Sequence, residues 1–125
     1  MKKYVSGKIN GLSEEEYHDA FERGCELVAS KGDEPLSPLS IQACWTEDCN
    51  GFQGVDNRLS GGKYFHAWSC YLKHDIIAML KCEGIVMLPN WTTSRGGKFE
   101  KYVAEQCDMR VEFISHDYKE IRDYA

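Results

Sequence analysis

A chain of 125 residues, 42% of them hydrophobic, is long enough to fold as one domain around its own core, burying roughly two thirds of its unfolded surface without disulfide staples. Its net charge of -5 argues against the basic face that general nucleic-acid binding requires, and no run approaches the roughly 18 apolar residues of a membrane span. Six cysteines (Cys25, Cys44, Cys49, Cys70, Cys82, Cys107) are spread evenly, and no secretory apolar region precedes them, so reduced thiols and a cytoplasmic location are expected.

Residues 3–6 are β-prone and lead into a loop with flexible backbone at Gly7 and Gly11. A helix comes next. Ser13 and Glu16 form a capping box, Glu14 and Glu15 suit the positive end, Tyr17, Ala20, Phe21, Gly24, Leu27 and Val28 make an apolar stripe, and Gly32 ends it. A short strand is expected near 35–39. From about 40 to 63 periodicity is lost and glycines gather, which describes a long irregular excursion, either a functional lid or a tolerated insertion.

Helical periodicity returns over 64–81, with Trp68, Leu72, Ile76, Met79 and Leu80 toward a core and Lys73 and His74 outward. Gly84 to Pro89 is a continuous apolar run, the pattern of a strand covered on both faces. Residues 94–107 read as a helix entered through a Ser-x-Gly-Gly turn, 110–114 as a strand, and 117–124 as a short polar terminal helix. Strands alternating with helices at this spacing imply an α/β fold. The expectation is a three-layer, doubly wound parallel sheet of four or five strands, Rossmann-like or flavodoxin-like, forming one domain over 1–125. Parallel strands put the loop after Ser6 and the corner after Leu88 on one rim, where such sheets bind ligands.

That corner places a hydroxyl (Ser94), two glycines (Gly96, Gly97) and a carboxylate (Glu100) together. A carboxylate near a helix N-terminus sits in a field that favours its negative charge, and an ionised, positioned carboxylate can act as a nucleophile. The alternative reading of Glu100 is a solvated helix residue pairing with nearby lysines. Asp75 falls between Tyr71 and Met79 on the apolar side of its helix, where a carboxylate needs either a partner or a function. A structural hydrogen bond to a loop would satisfy it equally. Two carboxylates on one rim suit glycosyl chemistry, in which one attacks the anomeric carbon and the other handles protons or orients the sugar. The amides at Gly96 and Gly97, with Ser94, would hold a phosphate or a sugar hydroxyl. Tyr4 and Trp91 are the aromatic candidates for stacking on a base.

The run from Tyr4 through Gly7, Lys8, Ile9 and Asn10 to Gly11, then Asp75, then Ser94-x-Gly96-x-x-x-Glu100, resembles the nucleoside 2-deoxyribosyltransferase superfamily. Within it the chain is most similar to a phage and bacterial group known as domain-of-unknown-function family 4406 and to the deoxynucleoside 5'-monophosphate N-glycosidases. The resemblance implies that Glu100 is a glutamate nucleophile, that Asp75 contacts the deoxyribose hydroxyl or the base, and that Ser94 and Gly96 belong to a phosphate-binding turn. It implies that Tyr4, Gly7 and Ile9 surround the sugar and base, with Tyr4 counted beside Glu100 and Asp75 among the catalytic residues. Monophosphate hydrolases carry an arginine in the first loop where this chain has Asn10; Lys8 is the cation there, and Arg95 would supply charge from the other side. A nucleoside or nucleotide is thus the expected ligand, no cofactor or metal is called for, and a homodimer or higher homo-oligomer is expected, with residues 118–125 reaching across to a neighbour.

Two further readings compete. One is a non-catalytic binder of a nucleotide or nucleotide-derived signal, of the kind a phage encodes, in which Glu100 and Asp75 only hydrogen-bond a ribose. The other is a zinc-stabilised interaction protein, because Cys44-x4-Cys49 and His66-x3-Cys70 offer four ligands at a loose spacing.

Overall fold

The structure, a computed structural model, describes residues 1–41 and 68–125. Strand β1 (Lys2–Ser6) leads through a glycine-bearing loop to helix α1 (Glu14–Ser30) and then to the short β2 (Glu34–Leu36). A single 3-10 turn comes after it at Pro38–Ser40. Helix α2 (Trp68–Leu80), strand β3 (Gly84–Met87), a 3-10 turn (Pro89–Thr93), helix α3 (Arg95–Gln106) and strand β4 (Arg110–Ile114) complete the alternation, and the last element is β5 (Ile121–Arg122).

The start of α1 is set by sequence chemistry. Ser13 Oγ accepts the Glu16 N–H at 3.1 Å while Glu16 Oε1 accepts the Ser13 N–H at 3.0 Å, so two donors of the first turn are satisfied reciprocally. The Ser13 N–H on this carboxylate, helped by the Ser13 hydroxyl, holds the exposed Glu16 carboxyl below the usual glutamate range.

The sheet runs β2-β1-β3-β4-β5, with the first four strands parallel and β5 antiparallel to β4. The α/β, three-layer expectation holds. Period-two alternation sends Val5, Val86, Leu88 and Ile114 to one face, where they pack with Tyr17, Phe21 and Val28 of α1. Tyr4, Ile85 and Met87 go to the other face, against Met79 of α2 and Ala104 of α3. Each fully buried apolar side chain contributes about 1.5–3 kcal/mol relative to exposure. Close approach at one point depends on glycine: a Cβ on Gly24 would lie 2.4 Å from Leu88 Cδ2, and one on Gly7 would lie 2.5 Å from Leu88 Cδ1.

Several expectations are corrected. The terminal segment is not helical: Ser115 Oγ accepts the Glu120 N–H at 2.9 Å, Asp117 Oδ1 accepts the Lys119 N–H at 3.1 Å, and Tyr118 takes φ 58°. Side chains that capture these backbone donors compete with helix formation, and Ile121 pairs with Ile114 instead. Residues 121–122 therefore extend this chain's own sheet. Leu80 is 46% exposed, because α2 offers the sheet only the stripe around Met79, and its neighbour Ile77 is exposed as well. The excursion at 40–63, together with Cys44, Cys49 and His66, falls outside the described residues except for positions 40 and 41. Cys70 is described and buried.

Candidate active site

In a parallel sheet of this order the chain leaves β1 toward β2 on one side and β3 lies on the other, so the carboxyl ends of β1 and β3 form the switch point at which such sheets take ligands. Residues from both ends and from α3 meet there. Tyr4 and Ser6 are two apart on β1 and therefore share the face covered by α2 and α3. Glu100 comes down from α3 onto that face. Its Oε2 accepts the Tyr4 phenol O–H at 2.6 Å and its Oε1 accepts the Ser6 hydroxyl at 2.7 Å. Tyr4 and Ser6 are fully buried and Glu100 is 5% exposed. A carboxyl group withdrawn from water is costly unless hydrogen bonds compensate, and two short bonds do so here.

Ser94 anchors the approach of α3. As N-cap its Oγ accepts the Gly97 N–H at 2.9 Å, and its hydroxyl proton is donated to the Gly7 carbonyl at 3.3 Å. A side chain at Gly97 would press on this serine, since its Cβ would lie 3.1 Å from Ser94 Oγ and 3.6 Å from Ser6 Oγ. Beside this switch point, Asn90 Oδ1 accepts the Lys8 N–H at 3.0 Å. A groove of about 680 Å³ opens beside the start of α3, lined by Leu72, Thr93, Arg95, Lys98 and Phe99.

The residues named from sequence divide accordingly. Glu100 and Tyr4 meet, and Glu100 is not a solvated partner of lysines. Tyr4 is fully buried, with no ring face exposed for a base, and its phenol donates a hydrogen bond to the Glu100 carboxyl. The half-buried Trp91 ring lies 5.7 Å from that of Phe113 on β4, with Lys101 Nζ 5.3 Å from its centroid. Ile9 is partly buried and packs against the core cluster on the α1 side of the sheet. Ser94 spends its proton on the Gly7 carbonyl, so it shapes the turn and does not offer that proton to a ligand. Gly7 and Lys8 line the β1 side, and Asn10 is exposed beyond them. Arg95 reaches the groove together with Lys98, while a Cβ at Gly96 would meet nothing within 4 Å. Asp75 is buried, 9% exposed, on the helix that packs against β1 and α3. Ser6, Asn90 and Lys98 are additions that the sequence reading misses, although the i, i+2 relation of Tyr4 and Ser6 is there to be read.

Among the described residues no cluster of three or more His, Cys, Asp or Glu side chains has the arrangement of a metal centre, and no helix is long and apolar enough to cross a membrane. Burial pushes the Cys25 thiol up to about 11 and raises that of Cys82, which keeps both in the poorly nucleophilic thiol form.

Comparison with known proteins places one family model on the chain, described as a domain of unknown function (DUF4406) and matching residues 1–113. That span contains Tyr4, Ser6, Asp75, Asn90, Ser94 and Glu100. No curated protein and no solved structure matches the chain.

Proposed function

The chain belongs to the family described as a domain of unknown function, DUF4406, and we propose that it cleaves the N-glycosidic bond of a nucleoside or nucleotide, as a hydrolase or a deoxyribosyltransferase, with Glu100 as nucleophile. The observation that carries this reading is the buried Glu100 carboxylate, held by one hydroxyl on each oxygen at the ligand-binding end of the sheet. A carboxylate so oriented has one task that a surface ion pair does not require: presenting a fixed oxygen to an electron-poor carbon.

In the proposed reaction one Glu100 oxygen attacks C1' of the sugar as the C1'–N bond breaks and its electron pair leaves with the base. The transition state is oxocarbenium-like, and the anionic carboxylate stabilises its charge before bonding to it. The departing base takes a proton, for which the buried Asp75 is the proposed carrier or sugar-orienting group. The glycosyl ester is then opened by water, which gives up a proton, or by the nitrogen of a second base; either restores the Glu100 carboxylate. Tyr4 and Ser6 keep Glu100 aimed through both halves.

The groove beside α3, which Glu100 itself does not line, is proposed as the phosphate side of the substrate. Its volume suits a nucleotide-sized ligand, and Arg95 and Lys98 suit a phosphate. Gly7, Lys8 and Asn10 would border the sugar and base, and the Gly96 backbone offers close approach. A cytoplasmic homodimer is the proposed setting, the symmetric dimer being the commonest soluble assembly.

A second reading, a nucleotide-binding module without turnover, draws on the same carboxylate: both oxygens already have hydroxyl partners, as a purely structural hydrogen-bond centre would. Incubation with a panel of nucleosides and 5'-monophosphates, with and without a second base, separates the two. Free base in the chromatogram is the expected result. Binding of a nucleotide with no base released from any member of the panel would favour the binder.

A further inference from the structure

We propose that Asn90 is a positioning residue for substrate binding, acting together with Ser94 by gripping both polar ends of one peptide group, the one that joins Gly7 to Lys8. The inference rests on the substrate-bordering role proposed above for the loop at 7–10. The Gly7 carbonyl accepts the Ser94 hydroxyl at 3.3 Å, and the Lys8 N–H of the same peptide donates to Asn90 Oδ1 at 3.0 Å. In a trans peptide these two groups point to opposite sides of the chain, and no cis bond occurs among the described residues. Turning the peptide plane would therefore break both bonds at once.

The grip begins where the backbone ladder ends. The β1–β3 register finishes at Ser6 and Met87, with the Leu88 N–H donating to the Ser6 carbonyl at 2.7 Å. The next peptide lies past the ladder, and it comes after a glycine, whose missing Cβ leaves the plane's orientation weakly set by local sterics. Side chains from the β3–α3 corner supply what the ladder no longer does. Asn90 reaches from the 3-10 turn and Ser94 from the N-cap of α3, which also carries Glu100. The first loop and the nucleophile are thus referenced to one corner of the chain. Removing the Asn90 oxygen leaves a half-buried N–H without its acceptor and frees the loop, while the Tyr4–Glu100–Ser6 cluster keeps its own hydrogen bonds.

The test uses Asn90→Ala and Asn90→Asp in the full chain, read by amide hydrogen exchange and by steady-state base release. Asp keeps an acceptor for the Lys8 N–H but lacks the NH2 group. The Lys8 amide is expected to be protected in the wild type, to exchange about tenfold faster or more in Asn90→Ala, and to return to within about threefold in Asn90→Asp, with the Val86 and Met87 amides unchanged as the sign of an intact sheet. In the same variants KM is expected to rise about tenfold in Asn90→Ala with kcat within about threefold, and to recover in Asn90→Asp. Equal Lys8 exchange in wild type and Asn90→Ala would overturn the proposal. So would an Asn90→Asp variant as impaired as Asn90→Ala, since the NH2 group and not the acceptor would then carry the effect. Should the wild type release no base from any substrate, the functional reading fails by itself, and Lys8 exchange still decides whether the peptide is gripped.

Discussion

Glu100 owes its place to a spacing. Six positions after the N-cap Ser94 it lies on the face of α3 that meets β1, and the sequence suffices to single it out together with Ser94 and the glycines between them. Its partners are only half legible. Tyr4 reads as an aromatic surface, because a tyrosine near a strand end carries no mark that its ring will be buried and its hydroxyl used; the packing of α2 and α3 over β1 decides that. Ser6 reads as a small polar strand residue. The consequence at this scale is specific: Tyr4→Phe keeps the ring that fills the core and removes the donor to Glu100 Oε2. A hydrogen bond to a charged group contributes about 1.5–3 kcal/mol, so kcat/KM for base release is expected to fall about ten- to hundredfold and the thermal midpoint by about 5–15 °C. A variant as active as wild type would show that the phenol is a spectator.

Elements are legible where a local signal decides them. The capping box starts α1 and a glycine stands just past its end, so both limits can be read, and the uninterrupted apolar run at 84–88 marks β3 because a strand covered on both faces has no polar side to show. The last element is not legible in this way. Its polar residues suit an exposed helix, but Ser115 and Asp117 take the backbone donors, Tyr118 turns the chain left-handed, and residues 121–122 join the sheet. Such competition depends on a neighbouring strand edge that the local sequence does not reveal. Gly24 shows packing overriding propensity within a helix. Alanine there ordinarily stabilises a helix by about 1 kcal/mol. Here its Cβ would lie 2.4 Å from Leu88 Cδ2, so Gly24→Ala is expected to lower stability by about 1–3 kcal/mol in urea unfolding. The loss should shrink in a Leu88→Ala background, where the contact is gone. Stabilisation by Gly24→Ala in both backgrounds would contradict the packing described.

At the scale of the described fold, strand order creates the switch point and a buried ion pair ties the sheet together at its opposite end. Lys3 on β1 extends over β3 at Gly84, where a Cβ would lie 3.2 Å from its Cδ and Nζ, and reaches Glu112 Oε1 on β4 at 2.8 Å. The side chains are 4% and 15% exposed. Neither residue is conspicuous in the sequence, because the pair is separated by 109 positions and exists only once β3 is inserted between β1 and β4. Burying two charges is offset only while both are present. Glu112→Leu alone is expected to cost about 3 kcal/mol in denaturant unfolding, whereas Lys3→Met with Glu112→Leu should come within about 1 kcal/mol of wild type. Equal losses in the single and double variants would mean that the charges do not act as a pair. The same topology bounds how much of the site a sequence can reveal. Alternating elements locate the rim, and motif spacing locates Glu100, but the meeting of Tyr4, Ser6 and Glu100 is a product of the assembled sheet and its covering helices.

The proposed function turns on Glu100 becoming covalently joined to a sugar. Acid quenching of the protein during incubation with nucleosides and 5'-monophosphates, with peptide mass analysis of the quenched sample, reads this directly. A glycosyl-sized mass increase is expected on the peptide that contains Glu100, appearing with free base and absent from Glu100→Gln, which should still bind the nucleotide. Base release that persists in Glu100→Gln, or nucleotide binding by the wild type with neither adduct nor free base, would contradict it.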